Sequence, residues 1–206
     1  MNQGKPTIWQ RFDDERIWRI FTLAVPFLYY VTMVRTRFTF GDGPELMTAA
    51  KTFGVAHPSG YPLWTLLAMI PGHIPWPSPY WHTSVWLSAL PTAATCLLIY
   101  EILRGHHVHR IASVAVALLW GLGWQVVYQA TRVEVYALHC LFVAAALWAT
   151  MRFGQTSRMK YAYAAVLAVC IGLTNHLTMA FMIVPVMTAL IAHDHKAIIR
   201  PAVALR

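Results

Sequence analysis

The sequence predicts an all-α polytopic membrane protein of about six transmembrane helices, with short interfacial helices in its first external loop. Three observations carry this. Of 206 residues 58% are hydrophobic and 12% charged, against roughly 25% charged in a soluble domain. Mean hydropathy is +0.49, and the apolar residues fall into several long uncharged runs rather than one amphipathic pattern. The Lys and Arg residues, which bring the net charge to +8, gather in the turns between alternate runs.

The whole chain reads as one membrane domain. Residues 1–19 are a polar cytoplasmic lead, and 20–36 are the first span, an uncleaved anchor. Residues 37–82 are the first external loop, and further spans follow at 84–103, 111–130 and 133–151. The fifth and sixth spans, 161–174 and 177–192, precede a cytoplasmic tail, 193–206. Only His176 is ionisable between Tyr161 and Ala192. As one helix that run would be about 48 Å long against a core of about 30 Å, so a turn at Asn175-His176 is expected.

Basic residues in the lead, in residues 104–110 and 152–160, and after Ala192 fall on one side; only Arg35, Arg37, Lys51 and Arg132 fall on the other. The first group is then cytoplasmic, and this distribution explains the positive charge without nucleic acid. Cys96, Cys140 and Cys170 lie inside apolar runs and read as free thiols. His106, His107, His109, His193 and His195 lack carboxylate or thiol neighbours and read as solvated turns, so no metal site is expected.

The stretch GDGPELMTAAKTFGVAHPSGYP, residues 41–62, is the sizeable polar interruption on which the rest is organised. Pro44 suits a first helical turn, and Gly54 suits a stop. A second apolar piece covers residues 63–70. PGHIPWPSP, residues 71–79, predicts an extended connector, and Trp76, Tyr80, Trp81 and Trp86 an aromatic belt.

Asp42, Glu45, His57, Arg132, Glu134, Tyr136, Asn175 and His176 come from three loops that open on one side. Ionisable groups at a membrane boundary are costly and face a cavity or a partner, so one polar cleft is expected. Each motif has two readings. Asp42 and Glu45 are either a capping box or a general base with its support. His57-Pro58-Ser59-Gly60 is a plain turn or a phosphate contact. Arg132, Tyr136 and His139 share helical spacing and form an interfacial anchor or an anion clamp. Asn175-His176 is a structural turn or part of the cleft.

The motifs GDGPEL, GVAHPSGYPL, EVYALH and GLTNHLT, in this order, make the chain resemble the transmembrane-protein-260-like family. That family is related to the protein O-mannosyltransferases, of the GT-C class of membrane glycosyltransferases. The resemblance covers roughly residues 39–178. It implies an acidic base in the first external loop, which maps to Asp42 with Glu45 beside it, and maps the family's His-Pro-Pro-Gly segment to residues 57–60. Gly43-Pro44 stands where the pattern has Ser-Gly, and Ser59 replaces the second Pro. Family members continue into further spans.

The resemblance implies inverting transfer of a sugar, with mannose a candidate, from a polyprenyl-phosphate donor to a hydroxyl of a protein or glycan acceptor. Asp42 and Glu45 are then the catalytic pair. His57, Arg132, Glu134, Tyr136, Asn175 and His176 bind substrate. No cofactor is required by this reading, and a divalent metal is left open. The bacterial cytoplasmic membrane is preferred to the endoplasmic reticulum. The alternatives are a transporter or lipid flippase, and a non-catalytic membrane subunit.

Overall fold

The structure is a computed structural model that describes residues 14–37 and 41–199, with side chains to residue 193. Lys5, Arg11 and residues 200–206 of the expected lead and tail lie outside the described residues, as does the side chain of His195.

Helix α1, Glu15–Met33, starts at Asp14, whose carboxylate accepts the Arg16 backbone N–H. Two short helices follow in the first loop, α2, Gly43–Thr52, and α3, Pro62–Ala68. Each begins with a proline in its first turn, where the missing N–H costs nothing. The expected stop at Gly54 is corrected: the chain reverses one residue earlier, at Phe53, with φ 54°. The extended connector is also corrected, because Pro71–His73 forms one 3-10 turn. A fixed proline φ suits such a turn as well as an extended strand.

The long helix α4, Pro79–Gly105, is started by Ser78, whose hydroxyl accepts the Trp81 N–H. It contains a wide π turn at Val85–Ala89, just before Pro91. Proline offers no N–H and crowds the carbonyl four residues back, and a wider turn relieves that crowding. Helices α5, Arg110–Gly121, and α6, Trp124–Ala130, meet at 67°. The expected straight span 111–130 is therefore broken. At the break, the Gly121 carbonyl accepts the buried Tyr30 hydroxyl at 2.6 Å. Gly123 then serves as the N-cap of α6.

Helix α7, Tyr136–Thr156, and α8, Met159–Asn175, are antiparallel neighbours. The chain breaks at His176, passes through a 3-10 segment, Leu177–Met182, and enters α9, Ile183–Ile199. Helices α4 and α7 are central: α1 and α5 pack on α4, while α8 and α9 pack on α7. Alanines 146, 149, 162, 165 and 168 are buried in the seam between α7 and α8 and let the two backbones approach closely.

Two helices, α4 and α7, are long and apolar enough to cross a membrane, and a third crossing results if the bent pair α5–α6 is one span. Helix α8 and the segment Leu177–His193 are apolar but shorter. The expected aromatic belt is partly corrected. Trp76 and Trp86 are exposed, but Tyr80 is buried, and its hydroxyl accepts the Val133 N–H at 3.3 Å.

The two ends of the bundle differ. At one end Arg19 pairs with Glu101 at 2.5 Å, and Glu15 receives both Tyr100 and Arg104. The start of α2, the start of α7 and the end of α8 meet at the other end.

Candidate active site

The site is built first from the loop between α2 and α3. Asp42 is the N-cap of α2, yet its carboxylate makes no capping hydrogen bond, and its backbone is helical (φ −78°, ψ −11°) where caps are usually extended. Glu45 turns away from Asp42: its Oε1 accepts the backbone N–H of His57 at 2.7 Å, and its Oε2 lies 3.1 Å from His57 Nδ1. The capping-box reading is thereby overturned, since neither carboxylate serves the helix end. These bonds hold the Glu45 carboxyl below its ordinary value, the backbone N–H first and the imidazole second. An ionised carboxylate only accepts, so the Nδ1–H tautomer of His57 is the one that satisfies this contact.

The other imidazole nitrogen meets two further polar groups. Nε2 of His57 is 2.9 Å from the Tyr61 hydroxyl and 3.9 Å from Asp42 Oδ2. This geometry follows from a turn closed by the Gly60 N–H on the His57 carbonyl at 2.7 Å. Gly60 (φ 82°) and Tyr61 (φ 43°) are both left-handed, which reverses the chain and directs the Tyr61 ring back over His57.

Residues 131–135 supply the second wall. Arg132 and Glu134 are 7% and 6% exposed. A Cβ on Gly41 (φ 112°) would lie 3.3 Å from Glu134 Oε1 and 3.8 Å from Arg132 Nη2, so only a glycine passes here without strain. The segment is pinned by Trp64, whose Nε1–H donates to the Glu134 carbonyl at 3.2 Å. Arg132 does not share a helical face with Tyr136 and His139: α7 begins only at Tyr136, and the Arg132 guanidinium lies 4.2 Å from the Tyr128 ring centre on α6.

The Glu134 carboxyl is pushed above its ordinary value, by burial first and by Asp42 second, with Arg132 and His57 opposing. The folded state then takes up a proton more readily than the unfolded chain. The resulting stabilisation is present below the unfolded value and is lost as pH rises through the folded one. Burial holds His176 below its ordinary value, which acts in the opposite sense. The difference between wild type and Glu134→Gln isolates the carboxyl. In thermal unfolding in detergent, the variant should gain on wild type as pH rises from 5 to 8. A difference independent of pH would show that Glu134 does not titrate differently on folding.

The third wall is the end of α8. Asn175 is fully buried and donates to the Val135 carbonyl at 3.1 Å, tying α8 to the start of α7. It therefore braces the site from behind. His176 is stacked on Tyr61 (5.8 Å, 25°) and lies against Tyr136 (5.6 Å) and His139 (5.3 Å). Its Nδ1 is 2.7 Å from the Thr178 hydroxyl, which is 3.3 Å from His139 Nε2.

The structure thus brings Asp42, Glu45, His57 and Glu134 together around one point. It joins Tyr136 and His176 to them through Tyr61, which lies inside the polar stretch 41–62 but is not among the residues the sequence singles out. A tyrosine four residues after the loop histidine and just before the proline of a new helix was the available signal. Away from this end, His106, His107 and His193 line a cavity of about 610 Å³ between α4, α7 and α9, and among the described residues that line it there is no carboxylate. Among the described residues no group of three His, Cys, Asp or Glu side chains is placed to hold a metal ion.

A family model described as the protein O-mannosyl-transferase TMEM260 N-terminal domain matches residues 42–198. The chain is similar to the protein O-mannosyl-transferase TMEM260 of Mus musculus, with 36% identity over 123 residues, 58% of this chain and 17% of that protein. It is also similar to the protein O-mannosyl-transferase tmem260 of Dictyostelium discoideum, with 29% identity over 163 residues, 70% of this chain and 20% of that protein. The chain thus spans a fifth or less of the length of these relatives. No solved structure matches it.

Proposed function

Because the chain belongs to the family of the protein O-mannosyl-transferase TMEM260 N-terminal domain, we propose that it carries the catalytic end of a membrane glycosyltransferase. The donor is a polyprenyl-phosphate sugar, with mannose favoured by the relatives' names. The acceptor is a hydroxyl of a protein or glycan on the extracytoplasmic face, and the transfer is inverting. Asp42 takes the hydroxyl proton as the oxygen attacks the sugar C1. The C1–O bond to the lipid phosphate breaks, and the phosphate leaves with the electron pair. Arg132 and His176 stabilise the charge developing on the phosphate.

The observation that supports this most is the position of Asp42. Its side chain is half-exposed, makes no helix cap, and stands 3.9 Å from an imidazole nitrogen at a site rimmed by Tyr61, Glu134 and His176. A general base needs this combination of access and a fixed polar surround. The test is turnover by the protein in proteoliposomes, with polyprenyl-phosphate mannose or a nucleotide-linked mannose as donor and a hydroxyl peptide as acceptor. Transfer from the lipid donor alone is expected. Transfer from the nucleotide sugar, or movement of the lipid across the bilayer without transfer, would overturn the reading.

The accompanying topology is six crossings, with α1, the bent pair, α8 and α9 added to α4 and α7. The first loop is external. In a cysteine-free background, Thr48→Cys on the exposed face of α2 should react with an impermeant maleimide added outside intact cells. Reaction only after the cytoplasmic face is opened would place the site on the wrong side for a lipid-linked donor.

A further inference from the structure

The proposed transfer leaves one question open: where the proton goes after Asp42. Glu45 cannot be an equal partner base, because both of its oxygens are engaged by His57. It holds the imidazole in one orientation, with Nδ1–H on the carboxylate and Nε2 turned toward the cleft. Nε2 has two neighbours there, the Tyr61 hydroxyl at 2.9 Å and the Asp42 carboxylate at 3.9 Å. The arrangement is that of an imidazole oriented by a carboxylate on one nitrogen and ready to accept a proton on the other.

We propose that Glu45, His57 and Tyr61 form a proton relay behind Asp42, in which His57 takes up the proton that Asp42 removes from the acceptor hydroxyl. Tyr61 is the positioning residue that aims the imidazole. This rests on the reading of the site as a glycosyltransferase. The acceptor O–H proton passes to Asp42 as the new C1–O bond forms and the C1–O phosphate bond breaks. Asp42 then gives that proton to His57 Nε2, and the Tyr61 hydroxyl, which donates to the neutral ring, turns to accept from the new Nε2–H. The resulting imidazolium is paired with the Glu45 carboxylate through Nδ1–H. His57 is partly open to solvent and returns the proton to water, which restores the neutral imidazole and the Asp42 carboxylate. No further reactant is needed.

The surroundings favour that charge. Asp42 and Glu45 on α2 and Glu134 on the 131–135 segment all lie within electrostatic reach of the imidazole. Across Tyr61 stand His176 and Tyr136, and Arg132 opposes from beside Glu134. Tyr61 is held from its other face by stacking on His176, so its hydroxyl has a fixed aim. A lone turn histidine would need neither the carboxylate behind it nor the buried tyrosine in front.

Tyr61→Phe keeps the ring and its stacking but removes the hydroxyl. It should lower kcat about tenfold, the size of one lost hydrogen bond, and leave KM for the donor unchanged. His57→Gln cannot carry a proton. It should lower kcat by about 10²-fold with KM for the donor unchanged, while Asn at the same position gives no rescue. Unchanged kcat in both variants, with wild type active, would overturn the relay and leave the transferase reading standing. Absence of transfer in wild type would instead overturn the transferase reading and, with it, the relay.

A second measurement does not depend on turnover. Nitrogen NMR of histidine-labelled protein should show the neutral His57 ring protonated at Nδ1, and Glu45→Ala should shift it toward the Nε2–H form. A ring protonated at Nε2 in wild type would leave no lone pair facing Asp42 and would overturn the relay.

Discussion

Asp42→Asn is expected to abolish sugar transfer while leaving the protein folded and inserted. Loss of a general base costs roughly 10²–10⁴-fold in rate. The size is nearly conserved, and the capping bond that an N-cap carboxylate would normally make is absent, so the substitution removes little from the fold. The same absence makes the companion variant informative. An N-cap replaced by Ala usually costs about 0.5–2 kcal/mol. Here Asp42→Ala should match Asp42→Asn in folded yield, because there is no cap to lose. Transfer by purified protein and monodispersity in detergent measure the two quantities. Full transfer in the Asn variant would remove Asp42 as the base. Folded yield falling in Ala but not in Asn would restore the capping role.

The second large effect is expected far from the chemistry. Gly121→Ala should destabilise the bundle by about 1–3 kcal/mol, the usual cost of overpacking. A Cβ there would lie 2.4 Å from Cys96 Sγ and 3.0 Å from the Tyr30 hydroxyl, where α5 crosses α1 and α4. The Tyr30 ring cannot retreat, because it is fully buried and its hydroxyl is bonded to the Gly121 carbonyl. Cys96 offers relief: in a Cys96→Ala background the cost should fall, and a double-mutant cycle in thermal unfolding measures that coupling. Equal costs in both backgrounds would show that the tyrosine, not the sulfur, sets the limit.

The helices were legible where local chemistry fixes them. Pro44 and Pro62 open the short helices, and the polar pair Asn175-His176 marks the break after α8. The bend at Gly121–Gly123 was not legible, because both glycines sit in a long apolar run and the Tyr30 hydroxyl that bonds the Gly121 carbonyl at the break comes from 91 residues away. That several of the named polar groups are neighbours was legible, since ionisable groups are scarce in this composition. Their pairing was not. Glu45 reads locally as the partner of Asp42, and only the turn at Gly60-Tyr61 brings His57 across to claim it. Arg132 was misplaced for a related reason: a spacing of four suggests one helical face, but the residues between Arg132 and Tyr136 are not helical.

The alanine seam between α7 and α8 makes these two helices a stiff lever. Its close contact runs from Ala146 and Ala149 on one side to Ala162, Ala165 and Ala168 on the other, well below His176. At its upper end a single bond from Asn175 to the Val135 carbonyl sets the height of His176 against Tyr61. A larger side chain wedged at Ala165, on the order of 15 Å down the helix from His176 at 1.5 Å per residue, would splay the arms and lift the imidazole from its ring partner. The fit of methyl groups deep in the bundle therefore gauges the spacing of His176 and Tyr61, and variation in the seam would change that contact without altering either residue.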